Sequence, residues 1–387
     1  MIDDRQVAAS PEAVGIDSEK LEAVFARAKR DVDDGVLTSA QVAVAREGKL
    51  AGLRTYGQAE QGGEMRPASD ATLYCIFSAT KAVVAAAVWT LFERDLLRLD
   101  ECLGEIVPQL GNGLEAVTVE QCMLHVGGFP GAPLGVDAFG ERQARLDALA
   151  KWYLDWEPGS RFEYHATSAH WVLAEIIQQR TGEDFRDYVR ATITAPMGLD
   201  ELFVGMPAAI NDRVAEVHHM TPPVAPPGGF GEVTPEAILR FNELAVREAG
   251  VPGGGGITSA AELALFYQPL INGGTTADGT RILKQDTIEF ATTVRTTDRH
   301  RDPILDVPVN RALAVVVAGD DGNSHLRGFG RTASGRTFGH AGAGGQIGWG
   351  DPESGISVGY CTSSFVDELT MGRRVTAISS LAADCAV

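Results

Sequence analysis

Apolar side chains recur three and four positions apart after Asp17-Ser18, at Leu21, Val24 and Phe25, and the run closes at Gly35. That spacing predicts a capped amphipathic helix. The pattern then changes to two strand-like runs, QVAVA (41–45) and LAGLRTYG (50–57), joined by Arg46-Glu47-Gly48-Lys49, which predicts a hairpin. From about 80 to 190 the helical period dominates, most clearly in AVVAAAVWTLFERDLL and HWVLAEIIQQRTG. A Pro/Gly-rich stretch at 221–235 interrupts it before helices resume. Strand-like runs return at 312–319, around 337–340, at 345–350 and at 356–362, with residues 351–355 as a turn. Strands near both ends with helices between them predict an α/β (α+β) chain whose antiparallel sheet is built from residues 1–80 and 255–387. Residues 81–254 form an inserted, mostly helical domain, and the cleft between the two is the expected ligand site.

Length and composition narrow the possibilities. The 387 residues are 44% hydrophobic and 22% charged, enough apolar material for a sizeable core. Fifty-two acidic residues against 33 basic ones leave a net charge of -19, which repels phosphate backbones and anionic lipid surfaces. Neither nucleic acid nor a membrane is expected as a partner. The five cysteines (Cys75, Cys102, Cys122, Cys361, Cys385) are scattered without a C-x-x-C pair, so no disulfide framework or zinc knuckle is expected. The first thirty residues lack the basic start and apolar centre of a signal peptide, and the apolar run at 82–89 is too short to span a bilayer. The expectation is a soluble, cytoplasmic protein; oligomeric state is left open.

Chemistry concentrates at Phe77-Ser78-Ala79-Thr80-Lys81, at the head of the Ala-rich helix. Residues three apart share a helix face, so Ser78 and Lys81 can meet across the first turn. The bland alternative is an N-capping serine with a lysine that snorkels to solvent. Yet Lys81 opens the face that continues through Ala82, Val83, Val84 and Ala85 to Trp89. Burial there, together with the positive end of the helix, disfavours the ammonium and leaves an amine able to take the serine proton. Other motifs read as structure. The glycines at 253–256 lack the G-K-[ST] of a phosphate loop and read as a flexible approach to a helix with a Ser259/Glu262 capping box. Gly355-Ile356-Ser357-Val358-Gly359 matches a nucleophile elbow, but Ser357 lies inside a continuing strand. His218-His219 and the His165/His170 pair have no accompanying carboxylate cluster, so no metal site is expected.

Two further segments join Ser78-x-x-Lys81: Pro158-Gly159-Ser160-Arg161-Phe162-Glu163-Tyr164-His165-Ala166 and Phe338-Gly339-His340-Ala341-Gly342-Ala343-Gly344-Gly345. With the Leu124-His125-x-Gly127-Gly128 turn, their order and spacing resemble the serine β-lactamase and penicillin-binding-protein superfamily, most of all the esterases related to class C β-lactamases known as family VIII carboxylesterases. The resemblance covers nearly the whole chain. It implies a β-lactamase/transpeptidase-like fold and a serine hydrolase that works through an acyl-enzyme without metal or cofactor. Ser78 would be the nucleophile, Lys81 its base or proton relay and Tyr164 a second proton-transfer group, with the backbone N–H groups of Ser78 and Ala343 as the oxyanion hole. His340, Ala341 and Gly342 would stand for the Lys-Thr-Gly motif of the lactamases, and Ala166 for the Asn of Y-x-N.

These last two departures remove a cation for a substrate carboxylate and an amide that contacts a lactam. A carboxylesterase acting on small or medium acyl esters is therefore the expected activity. The alternatives are a β-lactamase, D-aminopeptidase or DD-peptidase-like amidase, or a catalytically idle binding protein on the same fold. Trp152, Phe129 and Trp349 are candidate walls of an acyl pocket, with core packing as the alternative, and His125 is placed with the substrate-binding residues, with support of its loop as the alternative.

Overall fold

The computed structural model describes residues 3–132, 134–225 and 233–387; the centre of the Pro/Gly-rich stretch, 226–232, lies outside the described residues. After a helix, Ser18–Asp33, that buries Leu21, Val24 and Phe25, strands β1 (Ser39–Arg46), β2 (Lys49–Gln61) and β3 (Glu64–Pro67) form a meander. The β1–β2 turn needs two left-handed residues, which Glu47 (φ 53°) and Gly48 (φ 77°) supply, as expected of a two-residue hairpin. β2 runs past the predicted 50–57 because β3 pairs with its far end, Gln61 opposite Glu64.

Three short strands follow, β4 (Tyr74–Cys75), β5 (Phe203–Val204) and β6 (His218–His219), then β7 (Gly256–Thr258), β8 (Val316–Val317), β9 (Phe338–Gly342), β10 (Gln346–Gly350), β11 (Ile356–Thr362) and β12 (Ser364–Phe365). The large sheet has the order β3-β2-β1-β11-β10-β9-β8, so strands from the two ends of the chain meet at the β1–β11 pair. Every neighbouring pair in it is antiparallel. β1 is buried along nearly its whole length, because helices cover both faces of the sheet. Ser18–Asp33 and Glu368–Ala383 pack on one side over Trp349, Val358 and Tyr360. Ala260–Ile271 packs on the other, so closely that a Cβ on Gly359 of β11 would lie 2.0 Å from the Ala260 carbonyl oxygen.

Two stretches depart from the sequence pattern. Of the apolar run 312–319, only Val316–Val317 joins the sheet, pairing with β9. Ala314 has φ 62°, which breaks an extended run, and Leu313 instead offers its carbonyl to the Trp89 indole at 3.0 Å. The run is apolar because it is buried, not because it is a ladder strand. The 80–190 region holds the helices Thr80–Glu93, Arg142–Leu149 and Ser168–Thr181, but much of 94–167 is loop and short helical turns. Left-handed glycines such as Gly113 and Gly128 interrupt it. Among the described residues, no helix is long and apolar enough to cross a membrane.

Candidate active site

A second, three-stranded sheet of order β4-β7-β5 delivers Ser78. Ile76 N bonds the Gly256 carbonyl at 2.9 Å, holding the chain to β7 until one residue before the turn. Phe77 then adopts a left-handed backbone, φ 44°, which costs a side-chain-bearing residue roughly 1–2 kcal/mol. Its ring is clamped between Phe241 (5.1 Å) and Phe365 (5.2 Å), packing that holds the strained turn in place. The chain enters the helix through three successive turns, ending in Lys81 N to Ser78 O at 3.0 Å. The helix N-cap is Ala79, with no side-chain capping bond. Ser78 is therefore not spent on capping, and its hydroxyl borders a cavity of about 700 Å³.

Lys81 is completely buried. Its Nζ lies 3.2 Å from Ser78 Oγ and donates to the carbonyl oxygens of Ala166 (2.7 Å) and Gly253 (2.5 Å). Ala166 thus serves through its backbone where the family pattern uses an amide side chain. The glycines at 253–256 are not a flexible approach. All four are buried, and a Cβ on Gly256 would sit 2.6 Å from Thr80 Oγ1; they let the chain pass against the helix and bring the Gly253 carbonyl to Lys81. Of the predicted capping box, Ser259 Oγ accepts from Glu262 N, while the Glu262 carboxylate turns to Glu201 N instead.

Tyr164 places its ring 5.0 Å from Lys81 Nζ, and its hydroxyl has no hydrogen-bond partner among the described residues. Behind it His125, with φ 58°, lies 4.9 Å away ring to ring and accepts from His165 N through Nδ1. His165 in turn accepts from Phe129 N through Nε2 at 3.1 Å. Burial holds these imidazoles neutral. His165 is brought down to about 4 and His125 and His170 well below the ordinary value, burial being the first cause in each. His125 is thus a buried support beneath Tyr164, not a wall of the cavity. Among the described residues, no cluster of His, Cys, Asp and Glu is arranged to hold a metal ion.

On the third segment, His340, Ala341 and Ala343 line the cavity together with Ser78, Tyr164 and Ala166. Gly342 does not; a Cβ there would be 2.2 Å from the Ile76 carbonyl, so its part is to let β9 approach the chain entering Ser78. Burial, then the nearby Arg311 and Lys81 charges, hold His340 well below its ordinary pKa. The expectation that the cleft lacks a fixed cation is corrected all the same. Arg311 lines it, its guanidinium donating to His340 Nε2 at 3.3 Å.

The proposed aromatic walls are also corrected. Trp152 and Phe129 stack on each other inside the core at 6.2 Å. Trp349 points to the opposite face of the sheet, donating to Ser379 Oγ at 3.1 Å. The apolar lining comes instead from Phe77, Val136, Phe139, Ile238 and Phe241. Ser357 is fully buried and bonded to Gln268 and the Ala264 carbonyl, both at 2.7 Å, which removes it as a nucleophile.

Nothing local in the sequence marks Gly253 or Arg311; each reaches the site from a distant segment. The chain is 29% identical over 325 residues to the esterase/β-lactamase LipL of Mycobacterium tuberculosis, covering 76% of this chain and 70% of LipL. It is 30% identical over 270 residues to esterase EstB of Burkholderia gladioli, covering 63% of this chain and 67% of EstB. The structure of a penicillin-binding protein homologue from Caulobacter crescentus superposes with a TM-score of 0.81 at 26% identity, covering 95% of this chain and 98% of that one. Residues 24–382 match the Beta-lactamase family, and the chain belongs to that family.

Proposed function

We propose that this protein is a serine carboxylesterase that hydrolyses small or medium acyl esters through an acyl-enzyme. The observation that carries the proposal is the 3.2 Å approach of fully buried Lys81 Nζ to Ser78 Oγ at the edge of a largely apolar cavity. The Ala166 and Gly253 carbonyls accept from Nζ and hold it beside the serine. Ser78 Oγ attacks the ester carbonyl as its proton passes to Lys81. The backbone N–H groups of Ser78 and Ala343 receive the developing oxyanion. Tyr164, whose hydroxyl has no protein partner among the described residues, gives its proton to the departing alkoxide and takes back the one that Lys81 received from Ser78, which restores both groups. Water then releases the acid by the reverse path. Phe77, Val136, Phe139, Ile238 and Phe241 give the substrate an apolar wall.

Two relatives bearing esterase names support the ester reading, as does the absence of a side-chain amide at Ala166, since a site without a group's partner discriminates against that group. A cytoplasmic location accords with five unpaired cysteines. The test is hydrolysis of p-nitrophenyl butyrate beside a chromogenic cephalosporin and a D-alanyl anilide, with wild type and Ser78→Ala. The ester is expected to turn over fastest, and Ser78→Ala to abolish turnover and fluorophosphonate labelling together. Faster turnover of the cephalosporin or anilide would make the protein an amidase, and no labelling of the wild type would make it a binding protein.

A further inference from the structure

The turn that carries Ala343 has almost no side chains of its own to hold it. Gly342, Gly344 and Gly345 flank Ala343, and both Gly344 (φ 76°) and Gly345 (φ 90°) are left-handed. Glycine gives a chain its greatest backbone freedom, whereas an oxyanion donor works only at about 2.7–3.1 Å from the developing charge. Distant segments supply the restraint. After the turn, the Gln346 side chain donates to the Thr362 carbonyl at 2.6 Å and accepts from Thr362 N at 2.8 Å. The Phe365 ring closes on Gly344, where a Cβ would meet Cε2 at 2.9 Å, and packs on Phe77 at 5.2 Å. Arg374, from the helix Glu368–Ala383, donates through Nη2 to the Gly344 carbonyl at 2.6 Å. Its guanidinium lies so close to Gly345 that a Cβ there would overlap Nη2.

Arg374 is a costly way to hold a turn. It is completely buried, and its Nε and Nη1 have no partner among the described residues. Beyond the bond to Gly344, its guanidinium has the face of the Tyr360 ring, 5.9 Å from the ring centre. Two other buried arginines are better served. Arg145 bonds the Phe139 carbonyl and Gln178, and Arg247 bonds the Phe241 carbonyl, Asn211 and Asn242. A guanidinium sealed from water with most of its fork unfilled lowers stability, where an apolar side chain of similar length would not. What Arg374 gives in return is a fixed place for the Gly344 carbonyl.

We propose that Arg374 is a positioning residue of the oxyanion hole: by holding the Gly344 carbonyl it keeps the Ala343 N–H aligned with the N–H of Ser78. The inference rests on the esterase reading, which gives those two donors to the oxyanion, and adds a residue that acts on them through the backbone alone. Phe365 joins the two halves of the device, since one ring packs against both the Phe77 turn and the Gly344 turn.

Three measurements on wild type, Arg374→Met, Arg374→Lys and Ser379→Ala test it: kcat and KM on p-nitrophenyl butyrate, the affinity for phenylboronic acid, which forms a tetrahedral adduct on the serine, and the thermal midpoint. Arg374→Met should lower kcat by ~10² with KM within about threefold of wild type, because a displaced donor is missed only in the transition state. It should weaken the boronate by roughly tenfold or more. Its midpoint should hold or rise, since an apolar side chain replaces a poorly served cation. Arg374→Lys, which keeps a cationic donor near Gly344, should recover roughly tenfold of the lost kcat. Ser379→Ala loses bonds to Trp349 and to the Gly328 carbonyl on the same helix; it should lower the midpoint and leave kcat unchanged. A folded Arg374→Met protein with kcat and boronate affinity within about threefold of wild type, or a loss confined to KM, overturns the proposal. So does an equal loss of kcat in Ser379→Ala, which would make the effect one of helix packing. If Arg374→Met does not fold, Arg374→Gln, too short to reach Gly344, is read by the same numbers; if that variant also fails to fold, Arg374 is structural and the proposal falls. If the wild type hydrolyses no ester, the esterase reading falls by itself, and calorimetric titration with the boronate decides. Equal affinities in wild type and Arg374→Met, or no adduct with either, then overturn the proposal.

Discussion

Replacing Gly342 by alanine should separate activity from stability. Gly342 has φ -105° and ψ 154°, extended backbone that any residue adopts, so its demand for glycine is steric. An added Cβ would lie 2.2 Å from the Ile76 carbonyl oxygen and 2.9 Å from Gln346 Cβ, whereas real Cβ atoms stay beyond 3.0 Å. β9 and the segment leading into Ser78 must part by about 1 Å. Relaxation on this scale in a packed interior costs about 1–3 kcal/mol, a loss of a few degrees in Tm at most for a chain of this size. The same displacement separates Ala343 N from Ser78, and a misplacement of about 1 Å can cost ~10² in rate. The expected result is kcat on p-nitrophenyl butyrate reduced by ~10² with a cooperative thermal transition retained. Gly372→Ala is the control, an exposed helical glycine with nothing within 4 Å of the new methyl, expected to raise stability by about 0.5–1 kcal/mol without touching kcat. A folded Gly342→Ala protein with kcat within about threefold of wild type would refute the placement of Ala343 N in the oxyanion hole.

Tyr164→Phe should lower kcat by ~10² or more yet leave the denaturation midpoint nearly unchanged, because the hydroxyl it removes bonds no described residue; full activity in this variant would remove Tyr164 from the proton path. Lys81→Ala should lower kcat at least as much, and it also strips the Ala166 and Gly253 carbonyls of a donor, so urea titration should show a stability change that Tyr164→Phe lacks. Stability should fall on acidification. His125, His165, His170 and His340 have folded pKa values depressed chiefly by burial, so the unfolded chain takes up protons first. Their contribution is complete above about 6.5 and lost as pH falls toward the folded values, about 4 for His165, which alone represents about 3 kcal/mol. Glu262 acts in the opposite sense. Burial raises it to about 8, so its contribution fades as pH climbs from about 4.5 through 8, and guanidinium midpoints should peak near neutrality. A flat profile between pH 7 and 4.5 would show that these imidazoles are not buried neutral.

The sequence by itself determined what lies within one or two turns of chain. Ser78 and Lys81 meet because three residues along a helix return to the same face, and the apolar run after Lys81 already implied its burial. The Glu47-Gly48 hairpin and the strand character of Ser357 were legible for the same reason, since each depends on local dihedral preference and side-chain alternation. The tertiary structure decided everything carried by distant segments. Lys81 reaches the Ala166 carbonyl across 85 positions and that of Gly253 across 172, and both acceptors are backbone atoms, which no residue type announces. Arg311 meets His340 across 29 positions, from the position just before an apolar run whose composition suggested only a strand. Trp152 and Trp349 read equally well as pocket or core, because a buried indole satisfies either; only the packing of distant segments sets Trp152 on Phe129 and Trp349 against Ser379. Periodicity specifies which face of an element is buried, but not what that face is buried against.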